Sequence, residues 1–211
     1  GQQDVDVVLT TRELGRMIRE AGIDFANLED GEFDAPLGLS TGAALIFGAS
    51  GGVMEAALRT VYEILANEPL NNIDFCDVRG LEGVKEATVD IKGTKVRVAV
   101  TNGLANARKV LDAIKDGTGK WDFIEIMACP GGCIGGGGQP QPPNAAVRKL
   151  RMDATYRADC DMPIRKSHEN PGIKKLYDEF LKEPLGEKSH HLLHTHYCER
   201  GKYPEDNKCC K

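Results

Sequence analysis

A glycine-rich segment carries two cysteines at close spacing. Residues 127–140 read MACPGGCIGGGGQP, with Cys129 and Cys133 separated by three residues and six glycines between Gly131 and Gly138. Each glycine loses more backbone freedom on folding than alanine does, so six cost roughly 3–6 kcal/mol of a total stability of about 5–15 kcal/mol. Contact between the backbone and a bound anion can offset this cost, because peptide N–H groups without a neighbouring Cβ approach a ligand closely. We therefore expect a ligand at this segment.

The two thiols indicate which kind of ligand that is. Thiolates four positions apart at the end of a buried strand can reach one soft metal centre, and Gly131-Gly132 lets the chain turn between them. Iron–sulfur clusters are held by such thiolates and are tuned by hydrogen bonds to their sulfur atoms, which glycine N–H groups can supply. An iron–sulfur site would account for both the cysteines and the glycines.

The spacing alone leaves other interpretations open. A zinc site normally uses four tetrahedral ligands, and no second closely spaced pair lies nearby. A glycine hinge beside incidental cysteines would need no ligand. A phosphate-binding loop is disfavoured, because the segment lacks the GK(S/T) ending in which a lysine meets the phosphates. Two cysteines do not complete a cubane, so an iron–sulfur cluster needs at least two further ligands from elsewhere.

The composition is that of a globular protein and argues against two classes of partner. The 211 residues are 41% hydrophobic and 28% charged, with a net charge of -5. Because the basic residues are scattered among acidic ones, no nucleic acid is expected as a partner. No stretch approaches the roughly 18 consecutive apolar residues of a membrane span, so no membrane is expected either.

The cysteine count and the chain ends lead to three further expectations. Seven cysteines at irregular spacing indicate reduced thiols and a cytoplasmic protein rather than a secreted disulfide framework. The chain opens GQQDVDVVLTT without an initiator methionine, which indicates a fragment of a longer polypeptide. We expect one main unit at residues 1–185 and a loosely held tail at 186–211 that contains histidine and cysteine.

Alternating strand and helix patterns predict the fold class. The predicted strands are Val5 to Leu9, Ile73 to Val78, Trp121 to Met127, and a hairpin of Ala87 to Ile91 with Lys95 to Val100. The predicted helices are Thr11 to Ala21, the segment after an expected Ser50 cap, Leu104 to Lys115, Ala145 to Leu150 and Ser167 to Leu181. This order predicts an α/β fold with a mixed, mostly parallel sheet and flanking helices.

Four segments in order carry a highly specific resemblance. They are DVDVVLTTREL at 4–14, IFGASGGVMEAALR at 46–59, MACPGGCIGGGGQP at 127–140 and IRKSHENPGIKKLY at 164–177. Together they resemble the catalytic domain of FeFe (iron-only) hydrogenases, over a span from Asp4 to about Tyr197. The resemblance implies that the chain is the C-terminal lobe of the iron hydrogenase large domain. The reaction of that family is the reversible reduction of protons to H2.

The resemblance assigns roles to four residues by position. Cys129 would ligate the 4Fe-4S cubane of the H-cluster, and Cys133 would bridge the cubane to a diiron subcluster that also carries CO, CN and a dithiolate bridge. Phe47 and Met127 would belong to an apolar wall that keeps water away from the diiron unit.

Other parts of the family pattern do not occur in this sequence. The TSCCP-like and MPCTAKK-like signatures would supply two cubane cysteines, the proton-relay cysteine and a lysine for cyanide. We therefore expect no catalytic proton-relay residue in this chain, further iron–sulfur clusters upstream, and an inactive chain when it is alone. The expected partners are H2 or protons and an electron donor such as ferredoxin or an NAD(P)-linked subunit. A hydrogenase-like iron–sulfur assembly or scaffold protein is the alternative, and a sensory homologue is a third.

Several other polar residues allow a chemical and a structural interpretation. For Ser167 and Asn170 we favour helix capping over catalysis, and for Glu55 a structural hydrogen bond over tuning of a cluster. His190, His194 and His196 with Cys198 have a spacing that can bind a metal, although a solvated tail is favoured. Cys76 and Cys160 are expected to be packing residues.

Overall fold

The computed structural model describes residue 3, residues 5–31, residue 34 and residues 39–196. The α-helices are α1 (Thr11–Glu20), α2 (Gly42–Leu45), α3 (Gly52–Ala66), α4 (Leu104–Lys115), α5 (Ala145–Asp161), α6 (Pro171–Leu176) and α7 (Glu187–Leu193). The strands are β1 (Val84–Ile91), β2 (Thr94–Asn102) and β3 (Phe123–Met127). Short 3-10 turns cover Phe25–Asn27, Ile46–Gly48, Cys76–Val78, Cys133–Gly135 and Ser167–Glu169, and Tyr177–Leu181 is a π-helical turn.

The three strands form one small mixed sheet in the order β1-β2-β3. β1 and β2 are an antiparallel hairpin in register from Val84 opposite Thr101 to Ile91 opposite Thr94. β3 lies parallel to β2 after the crossover through α4. The α/β class and the mixed sheet are confirmed. One pairing is parallel and one antiparallel, so the expected parallel majority is not found in the described part of the chain.

Two apolar clusters form the core and hold the sheet and the helices together. In the first, Met54 and Leu58 of α3 pack with Val78 and with Val98 and Val100 on β2. In the second, side chains from the turn after α2, from the glycine-rich segment and from α5 pack together; its buried members are Ile46, Ala49, Ile134, Met152 and Tyr156. The glycine-rich segment is therefore anchored to the core through Ile134.

Two predicted strands are wrong. Residues 5–9 form no strand, and they pair with no other strand of the described residues; Val8 is 83% exposed. An extended segment is stable as a strand only when a neighbour accepts its backbone hydrogen bonds. The expected strand Ile73 to Val78 contains a 3-10 turn instead, because the Asp74 carboxylate bonds to Arg79 five residues later, at 2.8 Å, and this contact closes the chain on itself.

The C-terminal helices differ from the predicted ones in length and continuity. The helix predicted for Ala145 to Leu150 extends to Asp161, and the one predicted for Ser167 to Leu181 is divided into three turns of different type. The expected tail begins with α7, where buried Ser189 bonds to the carbonyls of Glu183 and Gly186. The boundary at residue 186 stays a prediction. Among the described residues, every helix is too short or too polar to cross a bilayer.

Candidate metal centre

The two cysteines flank a tight turn at the end of β3. After Met127, the Gly132 N–H donates to the Cys129 carbonyl at 3.0 Å, and a 3-10 turn begins at Cys133. Gly131 and Gly132 have φ values of 80° and 94°, in the left-handed region that side chains rarely adopt. The turn thus needs glycine at two of the three positions between the cysteines, 131 and 132, as the sequence predicted.

Close packing gives a second reason for Gly132. A Cβ on Gly132 would lie 2.7 Å from the Gly48 carbonyl oxygen and the Ser50 nitrogen, and 2.9 Å from Met127 Sδ. Part of the glycine content therefore lets the loop approach the segment before α3, rather than a ligand. This requirement is long-range, so the sequence pattern alone did not show it.

Both peptide groups of Gly131 are bonded to the scaffold. Its N–H donates to the Asn102 Oδ1 at the end of β2, at 2.9 Å, and its carbonyl accepts from the Ser50 N–H at 3.0 Å. From the other side, Arg151 of α5 donates to the Ile134 carbonyl at 2.7 Å. The turn between the cysteines is consequently held by β2, by the segment before α3 and by α5.

The four predicted cluster residues lie on or beside this turn. Cys129 and Met127 are half-buried, whereas Cys133 is exposed, and both thiols are free. The Cys129 Sγ lies 3.9 Å from the position that a Cβ on Gly136 would occupy. Phe47 precedes Gly48, which contacts the loop, but its side chain is 45% exposed. The described residues bring Met127 against the turn and do not close an apolar wall over Phe47.

The free donors of this turn fit an anionic, sulfur-containing cluster. Two thiols are available, and the N–H groups of Cys133 and Ile134 open the 3-10 turn without a hydrogen-bond acceptor in the described ranges. Thiolates and peptide N–H groups are the donor set that holds and tunes iron–sulfur clusters. The turn supplies two thiolates, so a cubane there requires other ligands as well.

The remaining cysteines of the described residues do not join this centre. Cys76 and Cys160 are exposed, so the expectation that they pack in the core is wrong. Cys198, Cys209 and Cys210 lie outside the described residues, as does the expected contact of Cys198 with the histidines. Within the described part, His190 and His194 stack with ring centroids 4.3 Å apart.

Two charged residues beneath the loop were not identified from the sequence. Glu125 of β3 is buried and accepts from the N–H groups of Gly51 and Met54 at 2.7 and 2.8 Å, so it caps the start of α3. A glutamate within an otherwise apolar strand was the one sequence signal that could have pointed to this role of Glu125.

Ser50 was the expected cap of α3, but Gly51 occupies that position. The Ser50 Oγ instead accepts from Lys85 at 3.3 Å and from Asn102 at 3.3 Å.

Lys85 is a buried cation whose hydrogen bonds go to neutral oxygens. Its Nζ donates to the Gly80 carbonyl at 2.8 Å as well as to Ser50. Burial lowers the pKa of Lys85, whereas the negative charges of Glu125 and Glu82 act to raise it. The ammonium group therefore lies behind the cysteine turn without a directly bonded carboxylate among the described residues.

A second polar cluster, between α3 and α5, is made of ion pairs. We call it the ionic seam; it contains Glu55, Arg59, Asp74, Arg79, Asp159 and Arg165. Arg59 binds both carboxylate oxygens of Asp159, at 2.8 and 2.9 Å. Glu55 accepts from Arg59 and Arg79, at 2.8 and 2.6 Å respectively, so its structural interpretation is confirmed.

Of the two predicted capping residues, Asn170 caps a helix, whereas Ser167 begins a 3-10 turn without capping it. The Asn170 side chain accepts from the Gly172 N–H at 2.9 Å and caps α6, as predicted. His168 Nε2 lies 2.6 Å from Glu63, and Lys166 lies 2.6 Å from Glu63 and 3.0 Å from Glu169. Glu63, His168 and Glu169 converge like metal ligands, but the Lys166 ammonium already pairs with both carboxylates.

The comparisons with known proteins agree with this architecture. The family model described as "Iron only hydrogenase large subunit, C-terminal domain" matches residues 1–137, and the one described as "Iron hydrogenase small subunit" matches residues 145–200. The NADP-reducing hydrogenase subunit HndD of Solidesulfovibrio fructosivorans is 54% identical over 95% of this chain and 34% of its own length. Iron hydrogenase 1 of Clostridium pasteurianum is 44% identical over 93% of the chain and 35% of its own length.

Solved structures and more distant relatives extend the comparison. A structure of the FeFe-hydrogenase HydA1 from Chlamydomonas reinhardtii has a TM-score of 0.72 and 44% identity, covering 92% of this chain and 55% of that one. Protein NAR1 of Arabidopsis thaliana is 32% identical over 92% of this chain and 42% of its own length. The chain spans about a third of the length of the two hydrogenases from Solidesulfovibrio and Clostridium. From the family match over residues 1–137 and these identities, we conclude that the chain belongs to the iron-only hydrogenase family.

Proposed function

We propose that this chain forms part of the catalytic domain of an FeFe hydrogenase that reversibly reduces protons to H2 at an H-cluster. The observation that carries the proposal is the turn between two free thiols, with unused N–H groups at Cys133 and Ile134. The 54% identity to an NADP-reducing hydrogenase subunit supports the same activity. Because the chain spans a third of that relative, the activity is proposed for the complete polypeptide.

The residues of this chain would bind and shield the cluster. Cys129 would hold the 4Fe-4S cubane, and Cys133 would bridge it to the diiron unit, which when bound supplies the redox chemistry of H2. The N–H groups at the start of the 3-10 turn would donate to cluster sulfur and stabilise its negative charge. Met127 packs against Gly132 and would exclude water on that side, with Phe47 completing the apolar surroundings when the cluster is in place.

The electron partner and location follow from this proposal. HndD is described as an NADP-reducing hydrogenase subunit, which supports an NAD(P)-linked partner subunit for this chain, with ferredoxin as the other candidate donor. We place the protein in the cytoplasm, where its free cysteines would stay reduced. Further iron–sulfur clusters would carry electrons between the donor and the H-cluster.

An iron–sulfur assembly or scaffold protein is the second candidate. It is favoured by one observation, the 30% identity over 92% of the chain to the cytosolic iron-sulfur assembly component 3 of Rattus norvegicus. The lower identity of that protein, compared with 54% for HndD, favours the hydrogenase. The two functions differ in a measurable way, because a scaffold binds iron–sulfur clusters without evolving H2.

Serine replacement of each thiol tests the proposal. In the complete polypeptide, produced with its maturation factors, Cys129→Ser and Cys133→Ser should each lower cluster iron and H2 evolution by at least about tenfold, since each removes a ligand. Cys160→Ser, at an exposed free thiol away from the turn, is the matched control and should retain both. Iron analysis, electron paramagnetic resonance and gas chromatography give the readouts.

The outcomes separate the candidates. Unchanged iron content in both serine variants would eliminate the assigned ligand roles. Bound iron in the unmodified protein together with no H2 evolution would favour the scaffold. Loss of cluster iron and of H2 evolution in Cys129→Ser and Cys133→Ser, with both retained in Cys160→Ser, would support the hydrogenase.

A further inference from the structure

A connected group of three buried polar side chains lies behind the cysteine turn. Asn102 Oδ1 accepts from the Gly131 N–H at 2.9 Å, and Asn102 Nδ2 donates to the Ser50 Oγ and to the Glu82 carbonyl. The backbone N–H of Ser50 donates to the Gly131 carbonyl, and its Oγ accepts from Lys85. All three side chains are less than 9% exposed, so these bonds are shielded from water.

This group does not serve the folding of the sheet alone. Asn102 is the last residue of β2, and Ser50 precedes α3, yet the Asn102 side chain and the Ser50 backbone N–H both bond to Gly131, between the two cysteines. The N–H and the carbonyl of Gly131 are therefore held by groups 29 and 81 residues earlier in the chain, and a buried polar group is costly unless it is bonded in this way. The end of β2 and the start of α3 thus hold the backbone between the two thiols.

The charge of Lys85 lies behind the same turn, because its Nζ bonds to Ser50, which in turn bonds to Gly131. Its ammonium bonds to neutral oxygens only; the carboxylates of Glu125 and Glu82 act on its charge without a hydrogen bond to it, so they offset its field in part. A positive charge behind an anionic site stabilises the more negative redox state, and burial strengthens this effect because screening is weak.

We propose that Asn102 and Ser50 are positioning residues for the cluster site, which fix the N–H and the carbonyl of Gly131 between Cys129 and Cys133, and that the charge of Lys85 behind Ser50 raises the reduction potential of the bound cluster. This inference rests on the proposed function for its second half. The first half concerns the chain without any cluster and is testable separately.

Hydrogen exchange of the complete polypeptide before iron loading tests the positioning. Asn102→Ala removes the acceptor for Gly131, so exchange of the Gly131 N–H should rise about tenfold or more. Asn102→Asp keeps an oxygen acceptor and should retain slow exchange, and it also serves if the alanine variant fails to fold. Asn106→Ala is the matched control, because Asn106 bonds to the Asn102 backbone carbonyl and not to Gly131. Equal Gly131 exchange in the Asn102→Ala and Asn106→Ala variants would overturn the proposal.

A redox titration of the iron-loaded protein tests the charge. Lys85→Met should shift the midpoint potential of the cluster to a more negative value. The expected shift is about 59 mV, which corresponds to a tenfold less favourable one-electron reduction by a mediator dye. Lys95→Met, at an exposed lysine on β2, should leave the midpoint unchanged. The titration is followed by the electron paramagnetic resonance signal rather than by activity.

The two experiments fail in different ways. An unmoved midpoint in Lys85→Met overturns the role of the charge. A polypeptide that binds no cluster contradicts the proposed function, whereas the exchange of Gly131 still supports or overturns the positioning by Asn102.

Discussion

The ionic seam and the cysteine turn differ in how completely the chain satisfies its own polar groups. In the seam, every N–H group of the Arg59 guanidinium has a partner: Asp159, Glu55, and the carbonyls of Ile73 and Arg165. At the turn, the N–H groups of Cys133 and Ile134 have no acceptor in the described residues, and the thiols are free. The central cation of the seam is therefore fully bonded, although the Nε of Arg165 in the same seam has no partner among the described residues. The turn, in contrast, presents N–H groups and thiols to a ligand.

This difference separates structural polarity from functional polarity. Buried charges require partners, and the seam supplies them from α3, α5 and the segments around Asp74 and Arg165. It also joins the part matched by the large-subunit model to the part matched by the small-subunit model. We infer that the seam holds these two parts together so that α5 can support the cysteine turn through Arg151.

The largest loss of stability is expected from removing the central cation of the ionic seam. Arg59→Met leaves the Glu55 and Asp159 carboxylates buried without their shared cation, so the free energy of unfolding should fall by about 3–5 kcal/mol. Urea denaturation followed by circular dichroism measures it. Arg97→Met, which breaks an exposed pair with Asp122, is the control and should cost about 1 kcal/mol or less. Equal losses in the two variants would refute the distinction between the seam and a surface ion pair.

A smaller loss of stability is expected when the Glu63 carboxylate, beside the seam, loses its charge. Burial acts to raise the pKa of Glu63, but hydrogen bonds from the Leu70 N–H, Lys166 and His168 outweigh it and lower the pKa from 4.5 to about 2. A lowered pKa means that the ionised form stabilises the fold. This stabilisation, about 1–3 kcal/mol, is fully present above pH 4.5 and is lost as the pH falls toward 2.

Glu63→Gln should therefore remove part of the acid sensitivity. The variant should be less stable than the unmodified chain at pH 7, and the difference should shrink as the pH falls from about 4.5 to 2. Thermal denaturation across this range measures the difference. Glu169→Gln is the control, because Glu169 is exposed and its ion pair among the described residues is with Lys166 alone. A pH-independent gap for Glu63→Gln would contradict the role of its ionisation.

Local sequence signals predicted the elements whose determinants lie close together in the chain. The Lys92-Gly93 hairpin turn has positive φ at both residues, and the capping box of Thr10 with Glu13 is present in α1. The glycine requirement between Cys129 and Cys133 was likewise readable from the motif. In each case the residues that decide the conformation are within a few positions of one another.

Long-range partners were not predictable from the same patterns. The pairing of Glu125 with the start of α3 joins residues 71 and 74 positions apart, and the Asn102 contact with Gly131 joins residues 29 apart. Hydrophobic periodicity and helix-capping patterns carry no information about which distant group supplies a hydrogen bond. For the same reason, β-branched residues at 5–9 predicted a strand although the described chain offers them no partner. Ligation of iron by the cysteines stays a prediction.

The smallest effect is expected where the far end of the glycine-rich segment meets α1. Arg12 donates from its side chain to the Gly137 carbonyl at 2.8 Å, and its N–H donates to the Gly138 carbonyl at 3.2 Å. No residue of α1 is buried, so the helix gains little from packing. Arg12→Ala should therefore lower the free energy of unfolding by about 0.5–1 kcal/mol and raise hydrogen exchange in α1 without affecting the seam.

Arg16→Ala provides the matched comparison on the same exposed helix, since Arg16 forms no side-chain hydrogen bond with the described residues. Hydrogen exchange read by mass spectrometry should rise in α1 for Arg12→Ala and stay unchanged for Arg16→Ala. A global loss as large as that of Arg59→Met would mean that the glycine-rich segment is part of the cooperative core. Its donors would then be structural, and the contrast between the fully bonded Arg59 of the seam and the free donors of the turn would not hold.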